Sequence, residues 1–219
     1  MTRGESTKME LIWDFDGTLF DTYPLMAASL QQAMREEGHE VPISDIRMRM
    51  AVTLGETLRY YKKTYGITDQ TIERYTQIMY GKGERAAKPF DGAEALCARI
   101  VQEGGHNHLC THRGASARMY MDAWGISRYF EVYVTEDDGL ARKPAPDMVQ
   151  RILDKTGRPR DTFMMLGDRE LDILAAQAAG VKGCRFTAGE KPETTAAEYT
   201  IEKMADFFDV VRGPYERNL

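Results

Sequence analysis

Apolar positions along this chain come in two textures, and the change between them divides it. Met9 to Trp13 is a short apolar run that predicts a buried strand. From Thr22 to Glu37 the apolar or small residues Leu25, Met26, Ala28, Ser29, Leu30, Ala33 and Met34 keep a helical period, with Pro24 suited to the first turn and Gly38 at the end. Ser44 to Met50, Glu56 to Tyr65 and Thr68 to Arg85 continue as helices rich in Tyr, Met, Lys and Arg, punctuated by Gly66, Gly81 and Gly83. No strand signal appears between residues 21 and 88. Residues 21–87 therefore read as a helical insertion bounded by the loop after Asp21 and the Lys88-Pro89 hinge.

After Phe90, helix and strand alternate. Helices are predicted over Gly92 to Glu103, Ala115 to Trp124, Asp147 to Thr156, Leu171 to Ala179 (closed by Gly180) and Met204 to Val211. Strands are predicted over His106 to Thr111, Phe130 to Thr135, Thr162 to Leu166 and Val181 to Phe186. This is the pattern of an α/β fold, a Rossmann-like parallel sheet with helices on both faces. The core is assigned to residues 1–20 and 88–219, and the helical domain is inserted into it. In such sheets ligands lie beyond the carboxyl ends of the strands.

Composition narrows the class without naming a chemistry. The chain has 219 residues, 42% of them hydrophobic and 29% charged, and a net charge of −5 with both signs mixed. That balance gives no electrostatic support for nucleic-acid binding. Residues 1–10 are polar, and no run approaches the length of a membrane span, so a cytoplasmic globular protein is expected. The three cysteines, Cys97, Cys110 and Cys184, are widely spaced and read as buried free thiols.

The candidate chemistry starts where the first strand ends, in Asp14-Phe15-Asp16-Gly17-Thr18. On an extended strand, residues two apart point the same way, which would place Asp14 and Asp16 in one small space. Adjacent carboxylates raise each other's pKa unless a cation compensates, so the pair points to a metal site, a proton-transfer site, or both. An isolated Asp-Gly is more often a plain turn. The longer Asp-x-Asp-Gly-Thr should recur by chance only about once in 10^5 positions.

Three later strand ends carry matching polar groups. Thr111 is either a helix cap or a phosphate ligand at a helix N-terminus. Arg113 there opposes the helix dipole unless an anion is bound, and it serves equally as half of a surface ion pair. His112 is given no catalytic role. Lys143, before Pro144-Ala145-Pro146, is a candidate fixed positive charge, whereas Arg142 is expected in solvent. Gly167-Asp168 and Asp172 follow the fourth strand; a cap and an early-helix acid would explain each singly. They would not explain a second Gly-Asp strand end beside the first acidic pair.

Together these residues resemble the haloacid dehalogenase superfamily, over essentially the whole chain and in order. Asp14-x-Asp16-Gly17-Thr18 is similar to its first motif, Thr111 to the second, Lys143-Pro144 to the third and Gly167-Asp168-x-x-x-Asp172 to the fourth. The helical insertion resembles the cap of the subgroup that includes phosphoglycolate phosphatases. The resemblance implies a Mg²⁺-dependent phosphatase acting on a small phosphorylated metabolite, of the phosphoglycolate or sugar-phosphate kind. Asp14 would be the nucleophile and Asp16 the general acid and base. Mg²⁺ would be held by Asp14, the Asp16 carbonyl and Asp168, with Asp172 in support, while Thr111 and Lys143 neutralise the phosphoryl oxygens. Gly17, Thr18, His112 and Arg113 are candidate substrate contacts, and Gly55 and Glu56, near Thr53, look like the cap's specificity turn. The cap would close over the site. Relatives commonly place Asn or another small polar residue after the second-motif hydroxyl, where this chain has His112-Arg113. Such an arginine, at the leaving group, would favour a second anionic group on the substrate. A phosphomutase of the β-phosphoglucomutase type and a non-catalytic binding protein on the same fold are the alternatives; Asp16 disfavours a dehalogenase or a phosphonate hydrolase.

Overall fold

The computed structural model describes residues 8–50, 53–189 and 194–215, with side-chain surroundings through residue 211. It divides into two compact units, Met1–Phe20 with Pro89–Leu219, and Asp21–Lys88.

The first unit begins with β1 (Glu10–Trp13) and reaches Phe20, the start of β2 (Phe20–Asp21). The inserted unit holds α1 (Tyr23–Glu36), α2 (Ile43–Met50), α3 (Leu54–Tyr65) and α4 (Asp69–Gly81). The chain returns through β3 (Lys88–Pro89), which pairs with β2 as a two-residue ladder. Then follow α5 (Ala93–Gln102), β4 (His106–Cys110), α6 (Ser116–Ala123), β5 (Phe130–Val134), α7 (Asp147–Thr156), β6 (Phe163–Gly167), α8 (Glu170–Ala178), β7 (Lys182–Phe186), β8 (Tyr199–Ile201) and α9 (Phe207–Tyr215).

Six strands form one parallel sheet in the order β5-β4-β1-β6-β7-β8. β1 lies between β4 and β6, with Trp13 level with Leu109 and Leu166, and the chain leaves it toward opposite edges of the sheet. That is the topological switch point, where a parallel sheet opens a crevice at its carboxyl end. β1 reads as a continuous apolar run because both of its faces are covered. On one face Ile12, Cys110, Val134, Phe163 and Met165 pack against Met148, Val149 and Ile152 of α7 and Ala175 and Ala176 of α8.

Two buried polar groups in this core are satisfied. The Trp13 indole N–H donates to Asn107 Oδ1 at 2.9 Å. At the amino end of β1, Glu10 bonds His106 Nδ1 at 2.9 Å and His108 Nε2 at 2.8 Å, and accepts from Arg158 at 3.0 Å. Arg158 also forks onto Glu131, so the cation among these acids is a guanidinium of the chain itself. Inside the helical unit, Met26, Leu30 and Met34 of α1 pack with Ile46, Tyr61, Tyr75 and Ile78 around a core of its own.

The structure corrects several sequence boundaries. α4 stops at Gly81 rather than Arg85, since Gly83 takes a φ of 80°, outside the helical region. α3 starts at Leu54, ahead of Glu56, because Thr53 Oγ1 accepts the Glu56 N–H at 3.1 Å and caps the helix. β8 was not legible at all. Its three residues are too short for an alternation signal, and it exists through pairing with Cys184 to Phe186. The three cysteines are free and buried, and burial pushes the Cys110 and Cys184 thiols up to about 12. Among the described residues no helix is long and apolar enough to cross a membrane.

Candidate active site

β1 ends at Trp13, and the main chain of Asp14 still donates to the Leu166 carbonyl at 2.9 Å. Asp14 is thus held at the mouth of the switch point and is only 1% exposed. The chain then turns at once. Gly17 has a φ of 80°, and its N–H and that of Phe20 close the turn on the carbonyls of Phe20 and Phe15. The extended strand that would aim Asp14 and Asp16 together therefore stops short of Asp16, and each acid meets a different cation.

Asp14 meets Lys143. The Lys143 ammonium, buried, lies 2.8 Å from Asp14 Oδ1, 2.5 Å from Asp172 Oδ1 as an ion pair outside hydrogen-bond alignment, and donates to the Cys110 carbonyl at 3.0 Å. Burial pulls its pKa down, but Asp14 and Asp172 outweigh burial and hold it above its ordinary value. Burial and Asp172 in turn push the Asp14 carboxyl up, against Lys143 and Arg169. Lys143 is aimed by the loop before α7, whose Lys143-Pro144 peptide bond is cis. Its main-chain N–H donates to His112 Nε2 at 2.9 Å. Arg142, beside it, pairs with exposed Glu136.

The acids that gather are Asp14, Asp168 and Asp172, whose ligand atoms lie within 4.8 Å of one another. Thr18 Oγ1 donates to Asp168 Oδ1 at 3.2 Å, joining the turn after β1 to the end of β6. Asp172 Oδ2 accepts the Arg169 N–H at 3.1 Å, which fixes the first turn of α8. Gly167 makes this approach possible, because a Cβ there would stand 2.4 Å from Asp172 Cβ. Three carboxylates face two cations, Lys143 and Arg169, and buried Asp14 Oδ2 has no hydrogen-bond partner. Surplus negative charge with all-oxygen donors fits a hard divalent cation such as Mg²⁺.

Asp16 meets Arg113, whose Nη2 donates to Oδ1 at 2.6 Å. The Arg113 side chain is 7% exposed, so this is not the surface ion pair of the alternative reading. Thr111 is buried, and its hydroxyl oxygen accepts the Arg113 N–H at 3.1 Å. His112 accepts from Lys143 and is neutral, with its pKa pushed down to about 3 by burial and by Lys143 and Arg142.

Sequence reasoning missed Arg169. Its Nη2 lies 3.5 Å from Asp14 Oδ2 and its Nε 4.0 Å from Asp168 Oδ1. Its place directly after Asp168 was the available signal, but only the fold shows that it returns to the first strand. Gly55 and Glu56 are exposed residues in the first turn of α3, within the helical unit.

The His112 geometry makes a stability prediction. A histidine depressed when folded contributes stability that is complete above its ordinary value of 6.5 and is lost as pH falls toward about 3. His112→Gln, which keeps an acceptor, is expected to lose less Tm than wild type between about pH 6.5 and pH 4. Calorimetry across that range checks it; parallel losses would remove His112 as the source.

The family model described as haloacid dehalogenase-like hydrolase matches residues 11–186. Pyrophosphatase PpaX of Bacillus pumilus is 27% identical over 215 residues, covering 94% of this chain and 98% of that protein. Phosphoglycolate phosphatase of Yersinia pestis is 27% identical over 214 residues, covering 92% of each. Among solved structures, a hydrolase of the same superfamily (subfamily IA, variant 1) from Geobacter sulfurreducens is similar with a TM-score of 0.76. It is 21% identical and covers 95% of this chain and 99% of that one, a likeness of fold.

Proposed function

The chain belongs to the haloacid dehalogenase-like hydrolases and is a phosphatase of that family, and we propose that it hydrolyses a small phosphorylated metabolite through a phosphorylated Asp14. The observation that carries this reading is the buried Asp14, held through Oδ1 by Lys143 and with Oδ2 taking no hydrogen bond, at the switch point of the sheet.

In the first step an Asp14 oxygen bonds phosphorus as the bond from phosphorus to the leaving oxygen breaks, and the Asp16 carboxyl gives that oxygen a proton. In the second, the Asp16 carboxylate takes a proton from water, the water oxygen bonds phosphorus, and the Asp14–phosphorus bond breaks to release phosphate. Lys143 aims Asp14, favours its ionised form against burial and Asp172, and supplies positive charge where the phosphoryl oxygens gain negative charge. The Thr111 hydroxyl is the second phosphoryl contact. Mg²⁺ would be held by Asp14, the Asp16 carbonyl and Asp168, with Asp172 in support, and when bound it neutralises the phosphoryl charge.

The relatives' names supply the first substrates. Phosphate release is measured from pyrophosphate, phosphoglycolate and several sugar phosphates, with Mg²⁺ and with EDTA. The expected result is turnover on at least one of them that EDTA abolishes and added Mg²⁺ restores. Rearranged product without free phosphate would replace the hydrolase reading with a mutase. Undiminished turnover in EDTA would sink the metal assignment.

A further inference from the structure

We propose that Arg113 is a positioning residue that fixes Asp16 toward the leaving oxygen; this rests on the roles given above to Asp14 and Asp16. Asp16 lies past the end of β1, in a turn, so its strand does not dictate where its carboxylate points. A guanidinium contributed from 97 residues away holds it. Arg113 Nε reaches Asp16 Oδ1 at 3.2 Å and Oδ2 at 3.3 Å, while Nη2 reaches Oδ1 at 2.6 Å. Contact to both oxygens by a planar fork defines the plane of the carboxylate as well as its distance, which a single point charge cannot do.

Arg113 is itself held apart from Asp16. Its N–H donates to Thr111 Oγ1 at 3.1 Å, and its carbonyl accepts the Glu136 N–H at 3.3 Å. Its guanidinium carbon lies 5.3 Å from the Phe15 ring centroid and 5.6 Å from that of Tyr120. Phe15 and Tyr120 are buried and pack edge to face, with Phe20 stacked on Phe15 at 4.7 Å. The cation therefore stands on a rigid aromatic floor, and the side chain with freedom to lose, Asp16, is ordered against it. The same Thr111 that serves the phosphoryl group thus also anchors the residue that aims the acid. The second strand end is in this way coupled to proton transfer as well as to phosphate binding.

The test separates aiming from mere packing by the leaving group. An alkyl phosphate needs a proton on its departing oxygen, whereas p-nitrophenyl phosphate departs largely without one. Arg113→Met is expected to lower kcat for an alkyl phosphate about 100-fold, the scale of a positioned general acid, and for p-nitrophenyl phosphate at least about tenfold less. Arg113→Lys, which restores charge without the fork, is expected to recover only part of the loss. In an Asp16→Asn background, Arg113→Met should cost less than about threefold more, because both changes remove the same function. Equal losses on both substrates, or additive losses, would overturn the proposal. A second readout needs no activity. The Arg113 Nε–H resonance in an ¹⁵N spectrum should be slowed in exchange in wild type and lose that protection in Asp16→Asn. If the resonance is indifferent to Asp16, the proposal fails even in an active enzyme. If wild type releases no phosphate while the resonance behaves as stated, the pairing stands and the phosphatase reading is what falls.

Discussion

Asp14→Asn is expected to lower phosphate release by about 10^4-fold or more, because it removes the carboxylate that attacks phosphorus in the first step of this reading. The same change should leave the fold at least as stable. Burial and Asp172 hold the Asp14 carboxyl above its ordinary value of 3.8. A carboxyl raised in this way binds its proton more tightly folded than unfolded. Stability of the metal-free protein therefore falls as pH climbs from the ordinary value through the raised one, and is flat beyond it. Asp14→Asn cannot titrate, so its stability in EDTA should decline less over the same span. Denaturation at a series of pH values from about 4 upward, run beside the activity assay, checks both halves. Inactivity caused by unfolding would appear as a lost transition. Retained turnover with an intact fold would remove Asp14 as nucleophile.

Lys143→Met is expected to fail on both counts. Lys143 is the shared cation of two buried carboxylates, Asp14 and Asp172, and its ammonium also satisfies the Cys110 carbonyl. Removing one partner of a buried ion pair leaves the other charge uncompensated, which costs about 3–5 kcal/mol. For a chain of this length that corresponds to a fall in Tm of about 10 °C. The loss should be larger at pH 8 than at pH 5, since protonating a carboxyl relieves the uncompensated charge. Added Mg²⁺ should restore part of the stability but little of the activity, because a cation among the carboxylates does not replace the ammonium that aims Asp14. A Tm within a degree or two of wild type would mean that the carboxylates find another partner, and would remove the shared-cation account.

The fold was legible where a chemical requirement and a folding requirement fall on the same residues. The apolar run of β1 must be buried on both faces, and Gly17 must turn the chain, so the strand end and its acids stand out in one stretch. Lys143 before Pro144 was legible in the same way, as was Gly167-Asp168 at the end of β6. Arg169 and β8 were not. Arg169 meets Asp14 only because β6 lies beside β1, and three residues of β8 carry no period of their own. His112 could be read equally as a solvated loop residue, and its role as acceptor for the Lys143 N–H appears only in space.

The sequence by itself determined which chemistry this protein carries. A carboxylate, a hydroxyl and a second acidic group stand at the ends of predicted strands, and an ammonium stands in the loop that follows another. A parallel sheet brings such ends together whatever the loops do, because its strands share one direction. What only the tertiary structure decided is how the charges are matched. Asp14 could have faced Asp16, but β1 ends at Trp13, three residues before Asp16, so Lys143 serves Asp14 and Asp172 while Arg113 serves Asp16. Pairing of this kind depends on ångström distances between residues 97 and 129 positions apart, and sequence periodicity, which reports only on neighbours, cannot carry it.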